Sequence, residues 1–235
     1  MELAGAGDEG QIWVTAESQT AGKARRGRSW ISKPGNLYAS LLLIDPAPAN
    51  LVHGLPLVTS VALHRALCEL FPAADKDLKI KWPNDLLLRG KKLSGLLLEA
   101  STDAAGRRTV VVGCGVNCVH FPDNPLYPAT SLEAEGFALP PVAVFLHFAR
   151  AMAEMLNIWD RGRGIAKIRQ DWLSRAKGVG EKVTARFDDY EISGRFEALD
   201  EDGYLILVED TGQRHHISAA DIFFGNSHPF RHKNV

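Results

Sequence analysis

The sequence holds little that would mark it for export, a membrane or nucleic acid. Its three cysteines, Cys68, Cys114 and Cys118, are odd in number and carry neither a disulfide framework nor a zinc-type spacing. They read as reduced buried thiols, which points to the cytoplasm. The N-terminal stretch Met1 to Asp8 lacks the basic start and apolar core of a secretory signal. No apolar run approaches the roughly 20 residues that span a bilayer, so no membrane association is expected. A formal charge of −1 removes any general electrostatic attraction to nucleic acid. The eight histidines show no metal-ligand spacing, and His215-His216 reads as exposed hairpin surface. A Walker-type phosphate loop, internal repeats and low-complexity tracts are all missing.

What remains is the balance of an ordinary globular protein, 46% apolar and 23% charged, with length for one large domain, or for one large domain plus a small one. Residues 11–16 read as a short strand that enters a polar, glycine-containing loop from about 17 to 35. Residues 37–44 form a near-continuous apolar run of strand length. The stretch 55–71 is apolar on most sides and fits a core helix. Alternation over 78–82 predicts a half-buried strand, broken at Pro83-Asn84-Asp85. Residues 86–88 and 93–100 read as two strands joined by the basic turn 89–92. A further strand, 110–117, carries glycines where something must approach the backbone closely. Phe145, Phe148, Met152, Leu156 and Trp159 lie on one helical face, as do Ile165, Ile168 and Trp172. Beyond Gly178 short β-type runs follow at about 182–187, 192–199, 204–209 and 213–217, which predicts a small barrel. The domain division is therefore 1–177 and 178–235.

Two segments carry the chemistry. The first runs from Ser18 to Trp30 and crowds Lys23, Arg25, Arg26 and Arg28 among small residues. Small residues let backbone N–H groups approach a ligand, and arginines offer forked donors to phosphate or carboxylate. The second is Lys81-Trp-Pro-Asn-Asp85 with Lys91-Lys92-Leu-Ser-Gly95 after it. Asp85 has the oxygen chemistry for a hard cation such as Mg²⁺. Lys92 has the charge to neutralise a carboxylate meeting a phosphate. Taken singly, each segment also reads as a solvated basic loop or a hairpin tip.

Taken together they closely resemble the two signatures of the biotin protein ligase family. These are a Gly-Arg-Gly-Arg-x-x-Arg-x-Trp loop and a Lys-Trp-Pro-Asn-Asp run with a downstream Lys-x-x-Gly. Gly113-Cys-Gly-Val-Asn117 and the C-terminal barrel match further family elements, so the resemblance covers nearly the whole chain. It implies an α+β fold: a central mixed β-sheet flanked by helices, related to lipoate ligases, with a small SH3-like C-terminal barrel. It also implies that biotin carboxylate attacks the α-phosphate of ATP to give biotinyl-adenylate, with Mg²⁺ as the accompanying ion and no tightly bound prosthetic group. A lysine of a biotin carboxyl carrier domain of a carboxylase then takes the biotin.

Carried over by position, Lys92, Arg25 and Asp85 are the catalytic candidates. Gln19, Lys23, Ala24, Arg25 and Lys92 would line the biotin site. Arg25, Arg28, Trp30, Asn84, Lys92 and Asn117 would meet ATP, and Asp85 would bind Mg²⁺ or orient the incoming lysine. The expected assembly is a monomer or homodimer that does not bind DNA, because the winged helix of dual-function members is missing. The alternatives are a lipoate-type ligase, or a non-catalytic biotin-binding or adenylate-binding protein.

Two departures from the family pattern stand out. Lys23 and Ala24 occupy positions where the family has Arg and Gly. Ala24 would cost about 1–2 kcal/mol if its backbone had to be left-handed. The Ser-Thr-Asn-type segment and helix that precede residue 11 in the family are missing as well. This sets a start placed too late, the favoured expectation, against a shortened form with a weakened biotin pocket.

Overall fold

A computed structural model of the chain describes residues 10–102, 106–123 and 128–225. The question of what precedes Gln11 lies outside them. Six strands form one sheet in the order β1-β2-β6-β5-β4-β3: β1 (Ile12–Ala16), β2 (Leu37–Ile44), β3 (Leu78–Lys81), β4 (Asp85–Leu88), β5 (Lys91–Thr102) and β6 (Arg108–Val116). Every ladder in it is antiparallel. Among the described residues the parallel component of the expected mixed sheet is confined to two isolated bridges, Ile80↔Ala176 and Lys92↔Ala129.

Three helices, α1 (Leu55–Leu70), α2 (Pro141–Trp159) and α3 (Ile165–Leu173), pack on one another and on a single face of this sheet. Pleating sends alternate residues to opposite faces, and Leu37, Ala39, Leu41 and Leu43 of β2 all join the helix-side core. α1 is the centre of that core. Leu55, Val58, Val61, Leu63 and Ala66 are fully buried, so its apolar side chains wrap most of its circumference. Pro72 follows its last turn and cannot continue it. A 3-10 turn, Ala49–Gly54, extends the apolar stretch backward, so that Ala49–Leu70 is long and apolar enough to cross a membrane by composition. That corrects the sequence expectation of no such run. Its burial inside the core accounts for the same composition.

The remaining strands, β7 (Lys182–Arg186), β8 (Glu191–Leu199), β9 (Leu205–Val208), β10 (Arg214–Ile217) and β11 (Asp221–Phe224), form a second antiparallel sheet in the order β10-β9-β8-β7-β11. The periodicity reading stops at residue 217 and misses β11. The Nε1–H of Trp82 donates to the Gly203 carbonyl at 3.1 Å, tying the two sheets together beside the Pro83-Asn84-Asp85 segment.

Candidate active site

The sheet face away from the helices is built differently. Cross-strand partners share a face, and the ladders align Tyr38, Gly115, Gly95, Asp85 and Lys81 in one row across five strands. The two central glycines leave a trough in the row. The indole of Trp30 fills part of it: a Cβ on Gly115 would lie 2.7 Å from that ring, and one on Gly95 would lie 3.0 Å from it. This is the close approach that the glycines of 110–117 predicted. The row floors a cavity of about 390 Å³, within the range of small-molecule sites.

The 17–35 loop roofs the cavity. Its middle folds into a small hairpin, with Trp30 N–H donating to Gly22 O at 2.9 Å and Ala24 N–H donating to Arg28 O at 2.8 Å. The tip turns through Arg26 and Gly27, whose φ of 57° and 68° are left-handed. Ala24 itself is extended, at φ −119° and ψ 176°, so its methyl group carries no backbone penalty. The tip is held down by the small sheet. Arg28 meets Asp221 at 3.2 Å, and Arg26 meets Asp221 at 3.5 Å and Asp188 at 3.3 Å. Asp221 lies on β11, so missing that strand also hid the loop's main anchor. The short apolar run Ile222-Phe-Phe224 was the available signal.

The structure brings all ten of the sequence candidates to this one cavity. Gln19, Lys23, Ala24, Arg25, Arg28, Trp30, Asn84, Asp85, Lys92 and Asn117 all line it. Lys92 Nζ pairs with Asp85 at 2.7 Å and lies 5.7 Å from the Trp30 ring centre. Arg25 reaches the Asn84 side-chain oxygen at 3.5 Å, and burial pulls its pKa below the ordinary guanidinium value against the opposing pull of Asp221 and Asp85. Asn84 donates to the Leu96 carbonyl, which anchors the turn after Pro83 across the sheet. Lys23 pairs with Glu99 at 3.6 Å at the β5 side of the cavity, a partner the sequence did not suggest. Lys81 is 9% exposed, and desolvation lowers its pKa while Asp85 opposes the shift. Its ammonium lies 5.9 Å from the rings of Phe223 and Phe224.

Asn117 is less available than its motif implied, since its amide N–H donates to Thr130 O at 3.0 Å and it is 3% exposed. Asp85 has one oxygen engaged by Lys92. Among the described residues no group of three or more His, Cys, Asp or Glu side chains could hold a metal ion. His215 and His216 pair with Glu209 and Asp200, away from the cavity. The arrangement is a small pocket with a trough opened by two glycines, cations along its walls and the 17–35 loop as its roof.

Comparison with known proteins gives a consistent picture. Residues 5–117 match the biotin/lipoate A/B protein ligase family, and residues 178–225 match the biotin protein ligase C-terminal domain. A biotin–[acetyl-CoA-carboxylase] ligase of Paracoccus denitrificans is 40% identical over 93% of this chain and 92% of its own length. The bifunctional ligase/repressor BirA of Bacillus subtilis is 33% identical over 90% of this chain and 66% of its own length. Among solved structures, the biotin protein ligase of Aquifex aeolicus in complex with biotin and ATP superposes with a TM-score of 0.76 at 27% identity. That superposition covers 91% of this chain and 89% of the other.

Proposed function

The chain belongs to the biotin protein ligase family, and from that premise we propose that it joins biotin to ATP and passes the biotinyl group to a lysine of a biotin carboxyl carrier domain. The observation that carries this reading is the pairing of Lys92 and Asp85 beside the glycine trough, beneath an arginine-bearing roof. In the first step the biotin carboxylate attacks the α-phosphate, an O–P bond forms and pyrophosphate leaves. Two anions must meet, so the site has to supply positive charge where the transition state builds negative charge. Lys92 lines the cavity, and we assign it that task. Arg25, desolvated and held by Asn84, offers a fork to phosphate. In the second step a lysine amine attacks the mixed anhydride and AMP leaves. Asp85 orients that amine once Lys92 has turned to the adenylate.

Biotin enters along the Gln19, Lys23 and Ala24 side of the trough. The nucleotide lies toward Arg28, Trp30, Asn84 and Asn117. The adenylate is water-sensitive, and we assign its protection to the roof. Asp85 is a single carboxylate paired with Lys92, and it would meet Mg²⁺ only together with the phosphates of ATP, since that ion is usually held by one or two carboxylates and substrate phosphates. Mg²⁺ therefore arrives with ATP as part of the substrate. We assign the small β domain from about residue 178 to holding the roof, through Asp221 and Asp188. Three free thiols suit a reducing compartment, and we place the enzyme in the cytoplasm. A lipoate ligase is the weaker reading, given the match of 178–225 to a biotin protein ligase domain.

The test is to incubate the protein with biotin, MgATP and a purified carrier domain, then to map the modified residue by peptide mass spectrometry. Biotin on one lysine of the carrier, dependent on ATP, is the expected outcome. An unmodified carrier under conditions where a known ligase modifies it would refute the reading.

A further inference from the structure

Lys92 lies on β5 and Asn117 directly follows β6, yet the backbone of one strap, residues 128–137, holds both. Lys92 N–H donates to Pro128 O at 2.7 Å, and Thr130 N–H donates back to Lys92 O at 3.0 Å. Asn117 donates its side-chain amide to Thr130 O at 3.0 Å, and Leu132 N–H donates to Asn117 O at 2.9 Å. Glu135, inside this strap, faces away from the cavity. Its side chain is only 6% exposed and gathers three donors. Thr130 Oγ1 donates at 2.7 Å and Lys91 Nζ at 3.2 Å to one oxygen, while Arg89 donates at 2.8 Å to the other. Arg89 and Lys91 flank Gly90 in the β4–β5 turn. Arg89 has φ 50° and also meets Asp77 at 3.2 Å.

We infer that Glu135 is a positioning residue for adenylation, the clamp that locks the strap to the β4–β5 hairpin and so fixes where Lys92 and Asn117 stand. The inference rests on the ligase reading and deepens it. Ordinary surface ion pairs contribute little, but this carboxylate is nearly buried, and its donors come from both bodies it joins. Thr130 links it directly to the residue whose backbone grips Lys92 and Asn117. The turn residues link it to the strand start that carries Lys92. Releasing it leaves the core under α1 untouched while loosening the register of Lys92 against Asp85. Misplacement of a reacting group by an ångström or so lowers the chemical step far more than it weakens ground-state binding.

Glu135→Gln tests this, because it keeps the shape and an acceptor for Thr130 but removes the charge that holds Arg89 and Lys91. Biotin-dependent ATP–pyrophosphate exchange in the variant should show kcat lowered about 10-fold or more, with KM for biotin changed less than about threefold. Hydrogen exchange should show faster exchange at the Lys92 and Thr130 amides, with α1 unaffected. Arg89→Gln, on the exposed side of the clamp, should give the same pattern more weakly, and it replaces the first variant if that one fails to fold. Unchanged kcat overturns the inference. So does a loss of activity with the Lys92 and Thr130 amides still protected, or one that only follows the unfolded fraction. If the parent protein shows no biotin-dependent exchange, the ligase reading itself has failed. The amide pattern then decides the clamp alone: loss of protection in Glu135→Gln supports it, and retention overturns it.

Discussion

Two neighbouring rows of the large sheet, one residue apart on every strand, do opposite jobs. Leu37, Val116, Ser94, Leu86 and Ile80 line up toward the helices, and none is more than 3% exposed. Tyr38, Gly115, Gly95, Asp85 and Lys81 line up toward the cavity. Four of the five in the first row are branched apolar side chains, as a packed interior requires, and the fifth, Ser94, donates its hydroxyl to the Gly115 carbonyl at 2.7 Å. The second has two glycines at its centre and charges at its end, a choice that forgoes burial in exchange for room and electrostatics. The same pleat that makes a strand alternate thus divides stability from chemistry. Substitutions on one row should change folding and spare chemistry, and those on the other should do the reverse.

The largest expected effect is on the cavity side. Lys92→Gln should lower adenylation by about 10²–10³-fold, as loss of a single charge-stabilising donor does elsewhere. The thermal midpoint should stay near that of the parent, because Lys92 is no part of the apolar core. Kinetics beside a melting curve would check both halves, and a large fall in the midpoint would blur the division.

His64, in the helix layer, provides the next contrast. It is 3% exposed, shares a hydrogen bond at 3.1 Å with Leu78 O, and burial lowers its pKa to about 4. In the unfolded chain it takes up a proton near its ordinary value of about 6.5. The unfolded state therefore binds more protons between pH 6.5 and 4, and stability falls as pH drops through that window. The full difference is about 3 kcal/mol at 1.36 kcal/mol per pKa unit. Urea titrations at pH 7 and pH 4.5 should differ by most of that amount, and by less in His64→Gln. An equal pH response in the variant would remove His64 as the cause.

Val112 and Gly115 lie three residues apart on β6 and face opposite ways. Val112→Ala should cost about 1–3 kcal/mol of stability at a fully buried site, leaving kcat per folded molecule unchanged. Gly115→Ala should displace the Trp30 ring, weaken biotin binding about 10-fold and shift stability by less than the Val112 change. Calorimetric titration with biotin alongside denaturant unfolding separates the two. The smallest effect is expected at the edge: Asp221→Asn should raise the KM for ATP by only a few fold. The amides of residues 22–30 should then exchange faster, since an exposed loop rests on its ion pairs. No change in those amides would mean the small sheet does not hold the roof.

Much of this division was legible in the sequence. The apolar rows announced the strands and the three helices, and the two basic segments announced the cavity, because each carries its ligand chemistry within a few consecutive residues. What was not legible came from contacts between distant segments. Asp221 meets Arg28 across 193 positions, and Glu135 meets Arg89 across 46. A lone carboxylate in a turn or a short strand gives no periodic signal of such a partner. Ala24 shows the same limit, because residue type alone could not tell that the left-handed turn falls at Arg26 and Gly27 instead. The 3-10 turn Ala49–Gly54 ahead of α1 carries no helical spacing of its own, because Pro48, Asn50 and Gly54 interrupt its apolar residues.

The central claim, that the open face adenylates biotin through Lys92, is tested most directly by ATP–pyrophosphate exchange run with biotin, with lipoate and with neither, on the parent protein and on Lys92→Gln. Exchange is expected with biotin alone, lost in the variant while its fold persists. Exchange driven by lipoate instead, or biotin-driven exchange that survives in Lys92→Gln, would contradict it.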